Sequence, residues 1–385
     1  MSFDVAATIP VKKADISNPL AVASVFAFLT TLTVIIVSWV ALNSVNNEQM
    51  NQAEKALRSE LVSRKDRVQS YIQSIARDLQ NIASSQISNI ILSELEVGFN
   101  ELGDRALESL QAAYITDNPN PVGRKQSLLK ANDGSQYSDV HGKYHDWFLQ
   151  LSASHDYYDL FMISANGDVL YSVYKEDDFA SNLDTGKYRD TELAETFTSL
   201  RDDPQPRTVA FKDFNPYVPS GNIPAAFMGS PIILDGAFQG ALIVQLKLEP
   251  FNRLLRQSRV PGSGPETYLV GPDKLLRTTS LTNASGTIRS TRFDSASVTA
   301  ALANTSGVVE TTDYRGVDVL SAYAPFVWND LMWAAVVELD IEQINQPLLE
   351  LRIRLLYLGI ICLALAFLAG WLLADNRPRS ALSNA

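Results

Sequence analysis

The side chains that could do chemistry gather in the stretch from Tyr157 to Phe227. Glu176, Asp177 and Asp178 are consecutive carboxylates. Such a set can hold a cation, work as acid and base, or simply sit in water on a loop. Around them lie Tyr171, Tyr174, Tyr188, Arg189, Asp213, Tyr217 and Phe227. A small-molecule pocket needs an apolar, aromatic wall and a few aimed polar groups. On that reading Arg189 clamps a carboxylate or phosphate at two points and Asp213 takes a cation or amine. The aromatics can wrap a quaternary ammonium. These are the candidate ligand-binding residues, and core packing or solvation accounts for any single one equally well.

No catalytic constellation accompanies them. The sequence has no phosphate-binding glycine loop, nucleophile elbow or HExxH, so an enzyme is not expected. Three histidines (His141, His145, His155) without Cys-His spacing give no reason to expect a metal or other cofactor. The single cysteine, Cys362, lies in an apolar run and cannot form an intrachain disulfide. An excess of 43 acidic over 32 basic residues, net −11, argues against a nucleic-acid surface. Asn283-Ala-Ser and Asn304-Thr-Ser match a glycosylation triplet, a pattern that chance produces often.

The elements that must position the candidates begin with a hairpin over Tyr157–Asp178, turning at Asn166-Gly167 with both residues at positive φ. Leu160 and Ile163 before the turn, and Val169, Tyr171 and Val173 after it, can line one buried face. A polar loop over 175–190 follows, then a helix at about 191–200. Strands come near 207–214, 225–234 and 239–249, the last two joined at Asp235-Gly236. Phe251–Gln257 reads as helix, and VPGSGP (260–265) as a linker.

Ahead of the hairpin, residues 48–114 read as helix, with Gly98 and Gly103 marking a break in the last part. Leu61, Val68, Ile72, Ile75, Leu79 and Ile82 form a heptad seam, with Lys65 at its missed position. The seam can pack on the domain's own sheet or on a partner helix, giving a homodimer. Residues 115–135 read as a loop and Tyr144–Leu151 as a short helix.

At each end lies an uncharged apolar run, Ala21–Leu42 and Leu355–Ala374. The first is about 33 Å long as a helix, enough to cross a bilayer. Lys12, Lys13, Arg377 and Arg379 favour termini inside, while Arg352 and Arg354 pull the other way. The expectation is a two-pass protein of the cytoplasmic membrane with residues 43–354 outside.

An internal echo supplies the architecture. AFMGSPIILDGAFQGALIVQLKLEPFNRLL (226–255) returns as LSAYAPFVWNDLMWAAVVELDIEQINQPLL (320–349), with Pro231 answering Pro325, Gln245 answering Glu338 and Asn252 answering Asn345. The fold class is therefore α+β: a long N-terminal helix and two tandem PAS-like antiparallel-sheet modules between two transmembrane helices. Its parts run as a cytoplasmic tail (1–20), a span (21–42), the long helix (43–114), a first module (115–259) and a second module (260–340). A connecting helix (341–354), the second span (355–374) and a short cytoplasmic end (375–385) complete it.

This layout resembles a double Cache domain, the extracytoplasmic sensor of bacterial chemoreceptors, histidine kinases and nucleotide cyclases. The stretches that carry the resemblance are YITDNPNPVGRK (114–125), YYDLFMISANGDVLYSVYKEDDFASNLDTG (157–186), FKDFNPYVPS (211–220) and ETYLVGPDKLLRTTS (266–280). It implies a membrane-distal first module that holds a small-molecule ligand, a membrane-proximal second module and a relay through the second span, first to a chemotaxis-type output. A cyclase or kinase output is the alternative, as is an extracytoplasmic protein-interaction module. DNRPRSALSNA (375–385) is similar to the opening of a HAMP linker. Amino-acid-sensing members carry Arg then Trp-Tyr, and later Tyr with Asp two residues on. Here Arg189 is followed by Asp190-Thr191-Glu192 and Tyr217 by Val218-Pro219-Ser220. The amine-holding carboxylate is missing from its place in that pattern, which ranks amino acids below other small solutes.

Overall fold

The computed structural model describes residues 19–256, 264–279 and 292–375. Most of the expected tail 1–20, the Asn283 triplet and the HAMP-like residues from 376 onward lie outside the described residues. The chain divides into a head, Ala56–Asp340, and a second unit made of the chain up to 55 and from 341 onward.

In the second unit, the N-terminal part of helix α1 (Pro19–Ala83) and the C-terminal helix, Ile341–Asp375, are each long and apolar enough to cross a membrane. Thr30, Thr31 and Thr33 return their hydroxyls to the carbonyls four residues back at 2.8, 2.7 and 2.9 Å. This hides polar groups that lipid could not satisfy. The two helices touch where side chains are small: a Cβ on Gly370 would stand 2.6 Å from the Ala23 Cα.

In the head, α1 stops at Ala83 and the chain turns through Ser84-Ser85 into α2 (Gln86–Glu101). The Ser85 hydroxyl caps α2 by accepting the Ser88 N–H at 3.3 Å. The expected helix to Tyr114 is thus broken earlier than its glycines suggest, because a serine cap competes with helix continuation. After α3 (Ala106–Gln111) and a π turn at Ala112–Thr116 comes α4 (Gln136–His155). The Ser135 hydroxyl starts α4 well before the expected Tyr144, accepting the Ser138 N–H at 3.1 Å.

The first sheet follows: β1 (Tyr157–Ser164), β2 (Val169–Ser172), α5 (Glu192–Asp202), β3 (Ala210–Tyr217), β4 (Ile223–Leu234) and β5 (Ala237–Leu246). Its strands are antiparallel in the order β2-β1-β5-β4-β3. Helix α6 (Glu249–Leu255) leads to the second sheet: β6 (Glu266–Val270), α7 (Ala296–Leu302), β7 (Gly307–Thr312), β8 (Asp318–Trp328) and β9 (Leu331–Asp340). Its order is β6-β9-β8-β7, and α8 (Ile341–Asp375) starts directly after β9. The second arm expected after β6 makes only isolated bridges, among them Val270 with Leu276.

The repeat holds in register. Gln245 lies between Asp159 and Phe227, and Glu338 between Glu266 and Ser321. Further along, Ala241 lies between Ile163 and Pro231, and Ala334 between Val270 and Pro325. Two copies of one unit place these pairs.

The first hairpin departs from expectation. Gly167 has φ +85° but Asn166 is not among the positive-φ residues, and the Gly167 N–H meets the Ser164 carbonyl at 3.0 Å. This is an ordinary turn closed by a left-handed glycine, and a register shift sits between Met162 and Ile163. The shift splits the face expected for the hairpin. Ile163 and Val169 join Phe197 of α5 in one core, whereas Tyr171 pairs with Met162 toward the α4 side. At Asp235-Gly236 both φ values are positive, +50° and +83°, as expected.

The seam of α1 is used by the chain itself. Leu61, Val68, Ile72, Ile75 and Leu79 are buried, and Tyr71 meets Phe251 edge-on at 5.3 Å. The Arg64 guanidinium donates to the carbonyls of Leu254 (2.8 Å) and Arg256 (2.9 Å). These contacts use the seam within the chain, the first of the two packings its sequence allows. Ile72→Ala is expected to destabilise the protein by about 2–5 kcal/mol. Val62→Ala, on the exposed face of the same helix, should stay within about 0.5 kcal/mol. Denaturant unfolding at two protein concentrations checks this; a concentration-dependent loss for Ile72→Ala would restore the intermolecular seam.

Candidate functional site

The site grows from one buried carboxylate. Asp159 interrupts an apolar strand, is fully buried, and lies on the sheet face that α5 covers. Its Oδ1 accepts the N–H groups of Leu160 (2.6 Å), Val173 (2.7 Å) and Tyr174 (3.2 Å). By taking the amides of 173 and 174 it ends β2 and turns the chain into the loop that carries the remaining polar groups.

Lys175 follows at φ +57°, a left-handed conformation that costs a lysine about 1 kcal/mol or more. Its ammonium is buried, donates to the Ser172 carbonyl, and lies 4.1, 4.9 and 5.8 Å from the ring centres of Tyr171, Phe179 and Tyr114. Burial pulls Lys175 down to about 7, against the pull of Asp159 and Asp178. On the α4 side of that box, His145 Nδ1 meets the Tyr171 hydroxyl at 2.6 Å and its Nε2 meets the Gln126 carbonyl at 2.7 Å. Burial, with Lys175 nearby, holds His145 down to about 4.

Asp178 is fully buried too. Its Oδ2 accepts the Tyr217 hydroxyl at 2.6 Å, while its Oδ1 has no donor. Burial pushes its carboxyl up to about 7, the Tyr217 bond opposing and Glu176 reinforcing. Glu176 accepts the hydroxyls of Tyr158 (2.7 Å) and Ser220 (2.5 Å), and Ser220 accepts from Gln245 Nε2 at 3.0 Å. The Gln245 Oε1 is buried without a donor. Asp177 is exposed.

The structure sorts the sequence candidates. Tyr217 and Phe227 come together at 4.8 Å on the α5 face with Asp178, and form the core of the site. Tyr171 lies on the opposite face of the sheet, because of the hairpin's register shift. Tyr174 stacks on Tyr158 at 5.0 Å, beside Glu176. Tyr188 is buried at the rim of a cleft of about 520 Å3 with Phe99, Gln111, Asp168 and Lys187. Arg189 is exposed, 3.6 Å from Asp190. Asp213 is bound to Arg277 of the second module at 2.8 Å. That guanidinium, 3% exposed, also holds Asp273 at 2.9 Å. Beside it Trp333 of β9 meets the rings of Phe211 and Phe214. Asp213 ties the two modules together.

Asp159 and Gln245 were not among the candidates for the site, and Glu176 and Asp178 entered only as part of an acidic run that could equally sit in water. An acid inside YYDLFMIS was a usable signal, since a buried strand tolerates one only with partners. Asp178, 39 positions before Tyr217 in the chain, is brought to its hydroxyl by the fold.

No protein-family model matches the chain, and no curated protein matches it in sequence. Among solved structures it is similar to the ligand-binding domain of Pseudomonas fluorescens chemoreceptor CtaA in complex with L-leucine. That match has 12% identity, covers 79% of this chain and 98% of the other, and has a TM-score of 0.40. It is similar to the ligand-binding domain of the Pseudomonas aeruginosa PAO1 amino acid chemoreceptor PctB in complex with L-Arg at 13% identity, 71% and 97% coverage and a TM-score of 0.37. A further match is the extracellular domain of the putative histidine kinase vpHK1S-Z8, at 14% identity, 76% and 96% coverage and a TM-score of 0.35.

Two outcomes follow from the geometry. Because Asp178 titrates higher folded than unfolded, its contribution is whole below pH 4 and is lost as pH rises toward 7. Asp178→Asn should remove that decline, of the order of a few kcal/mol, from stability measured across pH 4–7. Asp213→Ala leaves a buried guanidinium short of a partner and is expected to cost about 3 kcal/mol, while Asp213→Ala with Arg277→Met recovers much of the loss. Equal losses in the single and double variants would show that the pair does not tie the modules.

Proposed function

We propose that the chain is a two-pass membrane receptor whose head binds a small solute bearing N–H donors, most simply an organic ammonium, on the α5 face of its first module. What carries the reading is a pair of buried acceptors: Asp178 Oδ1 and Gln245 Oε1 both lack a donor on the face that holds Tyr217 and Phe227. An unsatisfied buried acceptor costs about 1–3 kcal/mol, which a donor-bearing ligand returns on binding. The chain acts by binding and not by catalysis. Its termini lie in the cytoplasm, and occupancy of the head is relayed through α8, in line with the double Cache resemblance. The output is of chemotaxis type, with a nucleotide cyclase or histidine kinase as the other class.

A second reading rests on a different surface. Ile87, Ile90 and Val97 stand exposed along α2, a stripe that suits self-association or a partner protein.

Calorimetry on the full chain in lipid nanodiscs, against a panel of amines, amino acids and organic acids, tests the first reading. A cationic solute should bind, and Asp178→Asn should weaken it by about tenfold, equivalent to 1.4 kcal/mol. Binding confined to anions, or untouched by that substitution, would overturn it. A partner captured only when the α2 stripe is intact would favour the second.

A further inference from the structure

The strand row that carries the site in the first module has a counterpart in the second. Glu266 stands where Asp159 does, Glu338 where Gln245 does and Ser321 where Phe227 does. Alternation along β6 and β9 puts Glu266 and Glu338 on the same face as Tyr268, Ala334 and Val336, which pack with Val298 and Ala301 of α7. It is the face that α5 covers in the first module.

Glu338 is 2% exposed; its Oε1 accepts the Ser321 hydroxyl at 2.8 Å and its Oε2 meets no donor among the described residues. Burial pushes its carboxyl up to about 8, Asp313 and Glu266 reinforcing and Arg315 opposing. The Arg315 guanidinium is bonded to Asp313 and Asp340, both at 2.5 Å. Glu266 accepts the Tyr268 hydroxyl at 2.8 Å. The rings of Tyr268, Phe293 and Tyr314 close a triangle with centroids 5.5, 5.6 and 5.7 Å apart.

We propose that this face of the second module is a second binding site, for a small organic ammonium, with Glu338 Oε2 as its acceptor and the Tyr268–Phe293–Tyr314 triangle as its wall. Three features select that chemistry. The open atom belongs to a carboxyl that accepts once ionised, and a bound cation favours that ionised form against the effect of burial. Tyr268, on the same face of the adjacent strand, favours an organic cation over a bare ion. Among the described residues, no three His, Cys, Asp or Glu side chains are disposed to hold a metal. The site does not depend on the first module's ligand, since it shares no residue with it.

The test titrates the full chain in lipid nanodiscs with n-propylammonium chloride against sodium chloride of equal ionic strength. The titration is made in an Asp178→Asn background, where binding by the first module is weakened about tenfold, and saturable binding that persists at the unaltered affinity is assigned to the second. Adding Glu338→Gln, which keeps the side chain's size, is expected to weaken that remainder by about tenfold. Ser321→Ala, which leaves every charge in place, should weaken it by about threefold and guards against a folding effect. Equal binding by Asp178→Asn with and without Glu338→Gln overturns the proposal. So does a lack of binding by Asp178→Asn when the unaltered chain binds, an outcome that leaves the first-module reading standing. Failure of every form to bind propylammonium overturns the assignment of an ammonium ligand.

Discussion

A carboxylate inside a protein survives only where donors reach it, and that constraint shapes the head. Asp159 satisfies it by taking backbone amides from two places, its own strand and the chain just beyond β2. Burying an unpaired carboxylate costs many kcal/mol, so these bonds decide where β2 ends and where the loop begins. The loop then brings Lys175, Glu176 and Asp178 inward behind it. Two of these are almost wholly buried, and each charge has a named neighbour: rings and a carbonyl for Lys175, a phenol for Asp178. A polar network of this kind rigidifies a fold when it is complete. Here, among the described residues, Asp178 Oδ1 and Gln245 Oε1 are left without a donor, and His141 Nε2 on the α4 side is left without a partner.

Much of this layout was legible in the chain itself. The apolar runs, the repeat and the pairing of Gln245 with Glu338 all express periodicities that burial imposes, and the structure aligns the strand rows around Gln245 and Glu338 in the same register. The misses share a cause. The Asn166-Gly167 turn fits more than one geometry, and the one adopted shifts the register enough to send Tyr171 to the opposite face. Asp178 sits among acids, a context that reads as solvated surface, and only the fold brings Tyr217 to it. Asp213 and Arg189 have the right chemistry for ligand contact, but side-chain type cannot tell a module joint or a solvent-facing loop from a pocket wall.

The joint matters because of which strand forms it. Along β3, Tyr217 holds Asp178 in the site, and a few residues earlier Asp213 and Phe214 hold Arg277 and Trp333 of the second module. Trp333 belongs to β9, which ends at Asp340, and α8 begins with the next residue. Asp178 is thus held by the same strand that fixes the second module's position. No long lever is needed, since packed aromatic joints tend to hold one of a few arrangements and resist continuous deformation.

Contiguity alone is not coupling, which is a difference in free energy between states. The strength of any signal is set by how much better the ligand fits one packing of the joint than another. Each tenfold preference shifts the equilibrium by about 1.4 kcal/mol. The Asp213–Arg277 pair is well suited to be the element that changes. Arg277 is almost fully buried while Asp213 is partly open to solvent, and a small displacement of β3 leaves the guanidinium short of a partner. That cost is large compared with the energy needed to shift a two-state balance. The joint should therefore hold firmly in either arrangement and rarely rest between them.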